Sequence, residues 1–571
     1  MSVPSLPSTV RERAQSSTTD VPQGLTDQTN YLPRRKIISV FLACATVDIA
    51  GLLDETMLAV SLPIIGSELN AGSQVSWFAT AYFVASTSCQ LLYGRLSDIW
   101  SRKTVLFALM FIFFIGNLGS AFSKTFIQLA IFRGIAGAGG GGLPTLAQVI
   151  VSDVVSLRQR GKYQGILGIS VAFSHGVGPI IGGLLSENST WRWIFRLTLP
   201  LTVVAAVMVW YFMPLKPTEG NWKHKIMWVD YVGALLILSG STLIVLALTW
   251  AGGLYSWDSK HVLITLILGV ISSVIFVFWE WKGPRFPLLS LHIFRERVVI
   301  GAAITQWING FLSVVQLFYL PTYYQAAYGY SPVKSGLLLL PLTVVQTFIS
   351  TASGALVTWT GRYRELILSG WAMWAIGLGL LGTLNERSSL AQQIGYSILT
   401  GVGVGQTFQP SLVAVQGAIE RKEMASVTAM RSFVRNLGGS LGLAVTGTIV
   451  NNVLSTYLTS LNVGEDVQKS ILDHPELART LPPDVYAEVL HGYLKGFRLV
   501  FNILAGLAVF AFLAAFFLMP HRDLDRPDDK QLKQEGKEFI AQLKGKKGTT
   551  IQKDPVHADV GDVEKVTTAA V

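Results

Sequence analysis

The residues of this chain best placed to do chemistry are ionisable side chains that interrupt long apolar segments. Placing a charge inside a lipid bilayer is costly, so such residues are usually retained for a function. A carboxyl group there can carry a proton, and a nearby arginine or histidine can control its release. The residues are Asp48, Asp54 and Glu55 in the first apolar segment, Arg133 in the fourth and His175 in the fifth.

Position along the first apolar segment separates its three acids. At 1.5 Å per residue from Ile37, Asp54 lies about 25 Å along the helix, in its outer third, and Asp48 about 16 Å along, near the midplane. Asp54 is the expected proton carrier, with a structural ion pair as the alternative. Asp48 fits a substrate or proton site and a structural role equally well. Glu55 points about 100° away from Asp54, towards the rim, and His175 is more typical of a hydrogen-bonded packing residue.

A cluster of glycine and charged residues follows the second apolar segment, and a related pattern returns later in the chain. Gly94 and Arg102 are eight residues apart, as are Gly354 and Arg362, which lie 260 residues further on. Asp153 ends the fourth segment on the same side of the membrane and has the charge needed to pair with Arg102. The repeated spacing indicates two related halves.

The glycines of the two halves match better than their charges do. Arg133 has no cationic counterpart near Thr400 in the second half. Because a packing role would have been duplicated with the glycines, we expect the first half to carry ion coupling and the substrate site to lie between the halves. The matching glycines are Gly134, Gly137 and Gly139 in the fourth segment and Gly401, Gly403 and Gly405 in the twelfth.

Composition predicts an all-α membrane protein. Half of the 571 residues are apolar, 14% are charged, and the mean hydropathy is +0.46, whereas a soluble domain has roughly 25% charged residues. The sequence contains none of the common serine-hydrolase, zinc-protease or Walker patterns, so no enzyme activity and no metal are expected. Membrane helices need about 20 mostly apolar residues. We count fourteen such segments: 37–64, 74–94, 104–122, 126–152, 163–186, 193–214, 229–251, 261–281, 298–323, 332–358, 365–384, 389–415, 427–454 and 497–519.

The distribution of charge predicts the topology. The net charge of +10 comes mostly from lysines and arginines in alternate loops, which places those loops and both termini in the cytoplasm and argues against a nucleic-acid partner. The expected domains are a disordered tail (1–36), a six-helix bundle (37–214), a linker with two extra membrane helices (215–297), a second six-helix bundle (298–519) with an outer loop (456–494), and a cytoplasmic tail (520–571). Residues 483–493 are predicted to form a short surface helix in the outer loop, and Asn188 begins a glycosylation sequon.

Several motifs, in this order, resemble those of the major facilitator superfamily and, within it, the fourteen-helix drug:H⁺ antiporters of fungi. The loop from Gly94 to Lys103 is similar to the superfamily pattern between helices 2 and 3, with departures at Ile99 and Ser101. The other matching elements are Asp54 with Leu62-Pro63, Arg133 before its glycines, Gly178-Pro179-Ile-Ile-Gly182-Gly183, and Trp191-Arg192-Trp193 with Leu199-Pro200. The resemblance covers about residues 37–519.

The resemblance implies roles for the matching residues. Arg133 would pair with an acidic group and release it as protons move. The implied cytoplasmic gate comprises Gly94, Asp98, Arg102 and Lys103, with Asp153 as a partner. The implied antiporter element comprises Gly178, Pro179, Gly182 and Gly183, which would kink the fifth helix and admit another helix closely.

The expected function is proton-driven export of a drug, toxin or secondary metabolite by alternating access. The alternative is a vacuolar carrier of basic amino acids. We expect a monomer in the plasma membrane, or in the vacuolar membrane under the alternative, that uses the proton gradient without a cofactor; its partners would be a small organic substrate, protons and the lipid bilayer. Arg431 and Arg435 are expected as anchors at the inner interface, with an anionic substrate contact as the alternative. Eight residues could line an amphipathic cavity, and any of them could equally face another helix: Gln148, Phe173, Trp307, Gln316, Tyr319, Tyr323, Gln346 and Gln406.

Overall fold

The regular secondary structure of the described residues is helical. The computed structural model describes residues 32–69, 77–213, 229–251, 255–282, 287–330, 332–420, 423–460 and 483–524, together with Gln534 and Glu538. We label the helices α1 to α14 in chain order and divide the fourth into α4a and α4b, because one residue interrupts it.

Six helices make up the first half. Their sequences are long and apolar, and side-chain caps start two of them: Ser101 accepts a hydrogen bond from the Thr104 amide, and Thr125 accepts one from the Gln128 amide. Such caps satisfy amides that have no partner within the helix. The helices are α1 (Arg34–Glu68), α2 (Trp77–Ile99), α3 (Arg102–Phe122), α4a (Phe126–Gly140), α4b (Gly142–Val154), α5 (Leu157–Asn188) and α6 (Arg192–Phe212).

The interruption of α4 has a local cause. Pro144 has no amide proton to donate to the carbonyl of Gly140 four residues earlier. Gly141 lies between the two segments and forms the end of α4a. The fourth helix is therefore interrupted within its run of glycines.

The remaining helices form the linker and the second half. The linker contains a hairpin of α7 (Tyr231–Trp250) and α8 (Lys260–Lys282), followed by a short 3-10 helix (Leu291–Arg295). The second half contains α9 (Arg297–Tyr328), α10 (Pro332–Thr360), α11 (Arg364–Leu381), α12 (Leu390–Gly417), α13 (Met424–Ser460) and α14 (Pro483–Leu518).

The helix contacts repeat from one half to the other. In the first half α1 packs against α5 and α6, α2 against α4a, and α3 against α4a and α6. In the second half α9 packs against α13 and α14, α10 against α12, and α11 against α12 and α14. The halves meet through α5 with α10 and through α2 with α13, and α7 lies against α2 and α13. The predicted duplication is therefore present in the packing.

Twelve helical segments of the described chain are long and apolar enough to cross a membrane. Helices α2 and α12 occupy predicted segments but fall outside that group. Both contact several other helices, α2 touching α4a, α7 and α13, and α12 touching α5, α9, α10 and α11. Polar side chains on these two helices can therefore find protein partners, which lowers the apolarity that they need.

Some boundaries differ from the prediction. Helix α1 begins at Arg34, so the expected tail is helical at its end. Helix α13 continues to Ser460, which shortens the expected outer loop. The predicted surface helix of residues 483–493 is instead the beginning of α14. Residues 1–31, 461–482 and most of the C-terminal tail lie outside the described residues.

Candidate transport site

Helices α1 and α4a bring Asp54 and Arg133 together inside the first half. Arg133 Nη1 donates to Asp54 Oδ2 at 2.6 Å, and the two side chains are 1% and 0% exposed. The guanidinium carbon also lies 4.6 Å from the centre of the Tyr82 ring and 5.6 Å from that of Phe195. Asp54 Oδ1 has no hydrogen-bond partner among the described residues. The pair is thus a buried, charge-assisted contact with one acceptor left unsatisfied.

Glu55 extends this charged region towards the second half. It is partly buried, and its charge interacts with those of Asp54 and Arg133. It also interacts with the charge of Arg435, which lies on α13. Glu55 thus lies within reach of charges from both halves, and its place at the rim stays a prediction.

The glycines of the predicted antiporter element pack α5 directly against the acidic part of α1. A Cβ atom at Gly178 would collide with Thr56 Oγ1, and one at Gly182 would lie 2.5 Å from the Met57 carbonyl oxygen. Thr56 Oγ1 also donates to the Ser174 carbonyl at 3.0 Å. The predicted close approach is present, next to Asp54 in the sequence. Gly183 is partly buried, and nothing is described of the Pro179 side chain.

Two other candidates in this half are less closely connected to the pair. Asp48 is 3% exposed, and its Oδ1 has no hydrogen-bond partner among the described residues. His175 Nδ1 lies 2.8 Å from the Val171 carbonyl of the same helix, and the ring lies within the electrostatic field of Arg435. The histidine therefore has the local hydrogen bond of a packing residue, and it also lies near the seam between the halves.

The predicted gate contains a buried ion cluster. Arg102 Nη1 lies 2.6 Å from Asp98 Oδ1, and Arg102 Nε lies 2.8 Å from Asp153 Oδ2. Arg102 Nη1 also donates to Ser97 Oγ at 2.9 Å. These contacts join the end of α2, the start of α3 and the end of α4b, so the expected pairing of Arg102 with Asp153 is present. Every member belongs to the first half.

The other two residues of the predicted gate have different neighbours. Lys103 Nζ donates to the carbonyls of Trp210 and Met213 at 3.0 Å each, which ties α3 to the end of α6. A Cβ atom at Gly94 would lie 2.8 Å from the Ala425 carbonyl oxygen of α13. Gly94 therefore permits close contact between the halves.

The described hydrogen bonds between the halves lie at the midplane and on the predicted cytoplasmic side. They connect α2 with α13, α4b with α12, and the start of α5 with α12, α13 and the end of α10. This arrangement closes the seam on the predicted cytoplasmic side. The bonds include Asn436 Nδ2 to Gln90 Oε1 at 3.3 Å, Gln416 Nε2 to Ser152 Oγ at 3.0 Å, and the Lys162 amide to Thr358 Oγ1 at 3.2 Å.

Arg431 and Arg435 lie inside the second half, which corrects their assignment as interface anchors. Arg431 is 2% exposed, and its Nη2 donates to the Phe408 carbonyl at 2.8 Å. Arg435 Nε donates to Asn309 Oδ1 at 3.1 Å. Since α13 begins at Met424, seven residues earlier, Arg431 is two turns inside the helix.

Four of the predicted cavity residues contribute instead to packing of the second half. Gln316 Oε1 accepts from Trp374 Nε1 at 2.8 Å, and Gln406 Oε1 accepts from Ser369 Oγ at 2.8 Å. Tyr319 donates to the Leu443 carbonyl, and Tyr323 packs in an aromatic cluster with Phe497 and Phe501. These contacts occupy one polar atom of each of the two glutamines, the Tyr319 hydroxyl and the Tyr323 ring. Gln316 Nε2 and the Tyr323 hydroxyl have no hydrogen-bond partner among the described residues.

The remaining cavity candidates are mixed. Phe173 is 49% exposed and shares one face of α5 with the exposed Ile169, Ile180 and Leu184. That stripe is typical of a lipid-facing surface, which disfavours the cavity assignment of Phe173. Gln148, Trp307 and Gln346 are partly buried. Asn188 is the last residue of α5, and nothing is described of its side chain.

Two contacts were not predicted from the sequence. Tyr82 covers Arg133, but a tyrosine within an apolar segment gives no signal of such a role. Glu68, at the end of α1, accepts from Arg192 Nη1 at 2.6 Å and from Trp191 Nε1 at 2.7 Å. Opposite charges at the outer ends of two neighbouring segments were the available signal. The hydrogen bond from Arg192 lowers the pKa of Glu68.

Comparison with solved structures identifies the fold. The proton:xylose symporter XylE, bound to 6-bromo-6-deoxy-D-glucose, superposes with a TM-score of 0.56 at 13% sequence identity, covering 88% of this chain and 99% of the symporter. The human organic anion transporter MFSD10 gives a TM-score of 0.56 at 14% identity, covering 85% of this chain and 99% of that protein.

Sequence comparison identifies the family. Citrate exporter 1 of Yarrowia lipolytica is 34% identical over 499 residues, 87% of this chain and 74% of the exporter. Efflux pump dotC of Dothistroma septosporum is 33% identical over 429 residues, 75% of this chain and 74% of the pump. The profile of the Major Facilitator Superfamily matches residues 47–443. With its duplicated helical fold and these fungal transport proteins as relatives, the chain belongs to the Major Facilitator Superfamily.

Proposed function

We propose that this membrane transporter exports organic small molecules in exchange for protons, by alternating access. The observation that carries the proposal is the fully buried ion pair of Asp54 with Arg133. A charged pair at this depth is costly to bury, which favours a functional reason for keeping it. Relatives named as efflux pumps and as a citrate exporter support the direction of transport.

Protonation of Asp54 would remove the negative charge that holds Arg133. The guanidinium would then keep its contacts with Tyr82 and Phe195 but lose its counter-charge. Because the glycine face of α5 packs against α1 beside Asp54, a shift of α1 would be passed to α5. Helix α5 contacts α10 of the other half. This route connects the proton site to the seam that alternating access must open.

The energy available for such exchange is sufficient. Each coupled proton contributes about 1.4 kcal/mol per pH unit of gradient. A membrane potential adds about 2.3 kcal/mol per charge for each 100 mV. One or two protons can therefore sustain a large substrate gradient.

We also propose the topology and setting of the transporter. Fourteen membrane spans, with α2 and α12 included, would place both termini in the cytoplasm. The cytoplasmic closure of the seam would then correspond to an outward-facing state. The transporter would act as a monomer in the plasma membrane, with protons as its coupling ion and no resident cofactor.

The experiment that tests the proposal is substrate transport by Asp54→Asn in vesicles with an imposed pH gradient. The substitution keeps the shape of the side chain and removes its charge, so gradient-driven transport should be abolished while substrate binding is largely kept. Citrate is the first substrate to use, since a relative is named for it. Asp258→Asn is the matched control, because Asp258 is exposed in the loop between α7 and α8.

Asp48→Asn is the rival variant in the same assay. Asp48 is a buried acid of the same helix without a described ion pair. If Asp54→Asn transports normally and Asp48→Asn does not, the proton site is Asp48. If both transport normally, neither Asp54 nor Asp48 is the proton site.

The vacuolar carrier of basic amino acids fits this chain less well. Arg431 and Arg435 are both inside the second half, near the seam. The buried Arg431 and the partly buried Arg435 would repel a cationic substrate. Lysine transport that depends on the pH gradient would favour the alternative.

A further inference from the structure

Two arginines on α13 form no salt bridge among the described residues. Arg431 and Arg435 are one helical turn apart, so their side chains share a face. Arg431 Nε is buried and has no hydrogen-bond partner among the described residues. The ring of Phe408 lies beneath both cations, with its centre 4.6 Å and 5.3 Å from the two guanidinium carbons.

The immediate surroundings of these arginines are polar but neutral. Arg435 binds Asn309 of α9, whose Nδ2 in turn donates to Thr407 Oγ1 at 3.3 Å. One turn earlier on α9, Gln306 Nε2 donates to Ser411 Oγ at 3.1 Å. Helices α9, α12 and α13 therefore form a polar wall that contributes positive charge and hydrogen-bonding groups without a carboxylate.

The wall lies next to the seam between the halves. Asn436, which follows Arg435, donates to Gln90 Oε1 of α2 at 3.3 Å. The charge of Arg435 also interacts with Glu55 of α1 and His175 of α5. Glu55, in turn, lies within the fields of Asp54, Arg133 and the nearby Tyr82. The arginines thus face the region where the proton site meets the second half.

Two guanidinium groups without a salt bridge are expensive to keep at such a place, and they repel each other. Arg431 is buried, and Arg435 is partly buried with Glu55 as the opposite charge that acts on it. A packing role would be met at lower cost by apolar or amide side chains. Guanidinium groups bind carboxylates with two parallel hydrogen bonds, which makes arginine suited to recognising an organic acid.

We propose that Arg431 and Arg435 bind a carboxylate of the transported substrate, which makes the substrate an organic anion. This rests on the proposed function, because it assigns the substrate class of the same transport cycle. Asn309 positions Arg435, and the Phe408 ring supports both cations from below. Glu55 is the resident carboxylate that competes with the substrate for Arg435. Loss of the negative charge on Glu55 would therefore favour anion binding.

The test is equilibrium binding of radiolabelled citrate and benzoate to purified transporter in nanodiscs, without a pH gradient. The wild type should bind at least one of these carboxylates, and unlabelled lysine should not compete. Arg435→Gln should weaken binding at least tenfold, and Arg435→Lys should recover part of it because the charge is restored. Arg362→Gln is the matched control, since Arg362 is exposed at the end of α10, and should bind as the wild type does.

In the same assay, Glu55→Gln should change the binding affinity in the opposite direction to Arg435→Gln. Removing the competing carboxylate should tighten binding several-fold. Each variant is first checked for a single symmetric peak in size-exclusion chromatography, and Arg435→Lys provides the reading if Arg435→Gln does not fold.

Four results would overturn the inference: binding of neither carboxylate, competition by lysine, wild-type affinity in Arg435→Gln, or weaker binding in Glu55→Gln. Because the assay uses no gradient, its outcome is independent of the vesicle experiment on Asp54. If the wild type binds the anion but a pH gradient does not drive its transport, the proposed function is contradicted and the assignment of the substrate class is not.

Discussion

The two six-helix halves bury charge in different ways. In the first half, two of the four buried arginines that are described, Arg102 and Arg133, lie within 3 Å of a carboxylate oxygen. In the second half, the buried Arg431 has a carbonyl oxygen as its described hydrogen-bond acceptor. The helix packing is duplicated, so the difference comes from side chains alone. A common scaffold thus holds Arg102 and Arg133 beside carboxylates in one half and Arg431 beside a backbone carbonyl in the other.

The equivalent loops of the two halves show the same contrast. Arg102 is buried between two acids, whereas Arg362, at the matching position, is exposed. The position of Asp98 is taken by Thr358, four residues after the corresponding glycine. Thr358 Oγ1 accepts a hydrogen bond from the Lys162 amide of the other half. The repeated spacing therefore predicts a shared backbone but not a shared charge cluster.

The largest effect is expected from removing a paired cation. Arg133→Gln leaves Asp54 buried without its counter-charge, and breaking one side of a buried pair costs about 3 kcal/mol or more. Arg431→Gln removes a cation that has no counter-charge, so its stability should stay within about 1 kcal/mol of the wild type. Thermal unfolding in detergent measures both variants. Equal destabilisation of the two would remove the contrast between the halves, and Asp54→Asn with Arg133→Gln should recover part of the first loss.

A large effect on transport is expected from the gate. Arg102→Gln leaves Asp98 and Asp153 facing each other without the guanidinium that separates them, so transport should fall at least tenfold with protein still in the membrane. Arg362→Gln changes an exposed residue at the matching position and should transport as the wild type does. Initial rates in vesicles, normalised to protein amount, decide the result. Similar rates in both variants would mean that the Arg102 cluster only sets the orientation of the protein in the membrane.

A smaller effect is expected from the seam. Gly94→Val places a side chain against the Ala425 carbonyl, which should weaken the cytoplasmic closure. Cysteines introduced at Ser152 and Gln416, in a background without Cys44 and Cys89, should then form a disulfide several-fold more slowly. Gly395→Val is the control, because no atom lies within 4 Å of a Cβ atom at that position. Equal rates in the two variants would exclude Gly94 from the closure.

The smallest effect is expected at the outer end of the first half. Because Arg192 lowers the pKa of Glu68 in the folded protein, the pair stabilises the fold above the ordinary glutamate pKa of about 4.3. That contribution is lost as the pH falls through the lowered pKa. The carboxylate is 47% exposed, so the loss should not exceed about 1 kcal/mol. Glu68→Gln should remove this pH dependence of thermal unfolding, and an unchanged dependence would contradict the assignment.

Much of the first half could be predicted from its sequence. The cost of a buried charge singled out Asp54 and Arg133, and opposite charge predicted the contact of Arg102 with Asp153. The spacing of glycines predicted the close approach of α5. In each case the signal was a residue type that is expensive or unusual within an apolar helix.

The second half was harder to predict, for a physical reason. Arg431 was assigned to the interface because it opens an apolar segment, but α13 begins with small residues that precede that segment. Phe173 is predicted to line a cavity because aromatic residues suit an amphipathic cavity. Aromatic residues also suit a lipid-facing surface, so the residue type alone does not distinguish the two. Only the packing of α5 shows which face is outward. The residue at which a helix begins, and the face that it turns outwards, depend on the helices packed against it. A single sequence does not identify those helices.

The interruption at Gly141 makes α4 easier to bend there than elsewhere along its length. Arg133 is carried by α4a, and Asp153 by α4b. Pro144 removes one hydrogen bond across the break, so bending there costs less than bending within either segment. A swing of α4a that follows a change at Arg133 need not move Asp153 by the same angle. If α4a moves with Arg133, the interruption thus allows Asp153 to keep its place beside Arg102.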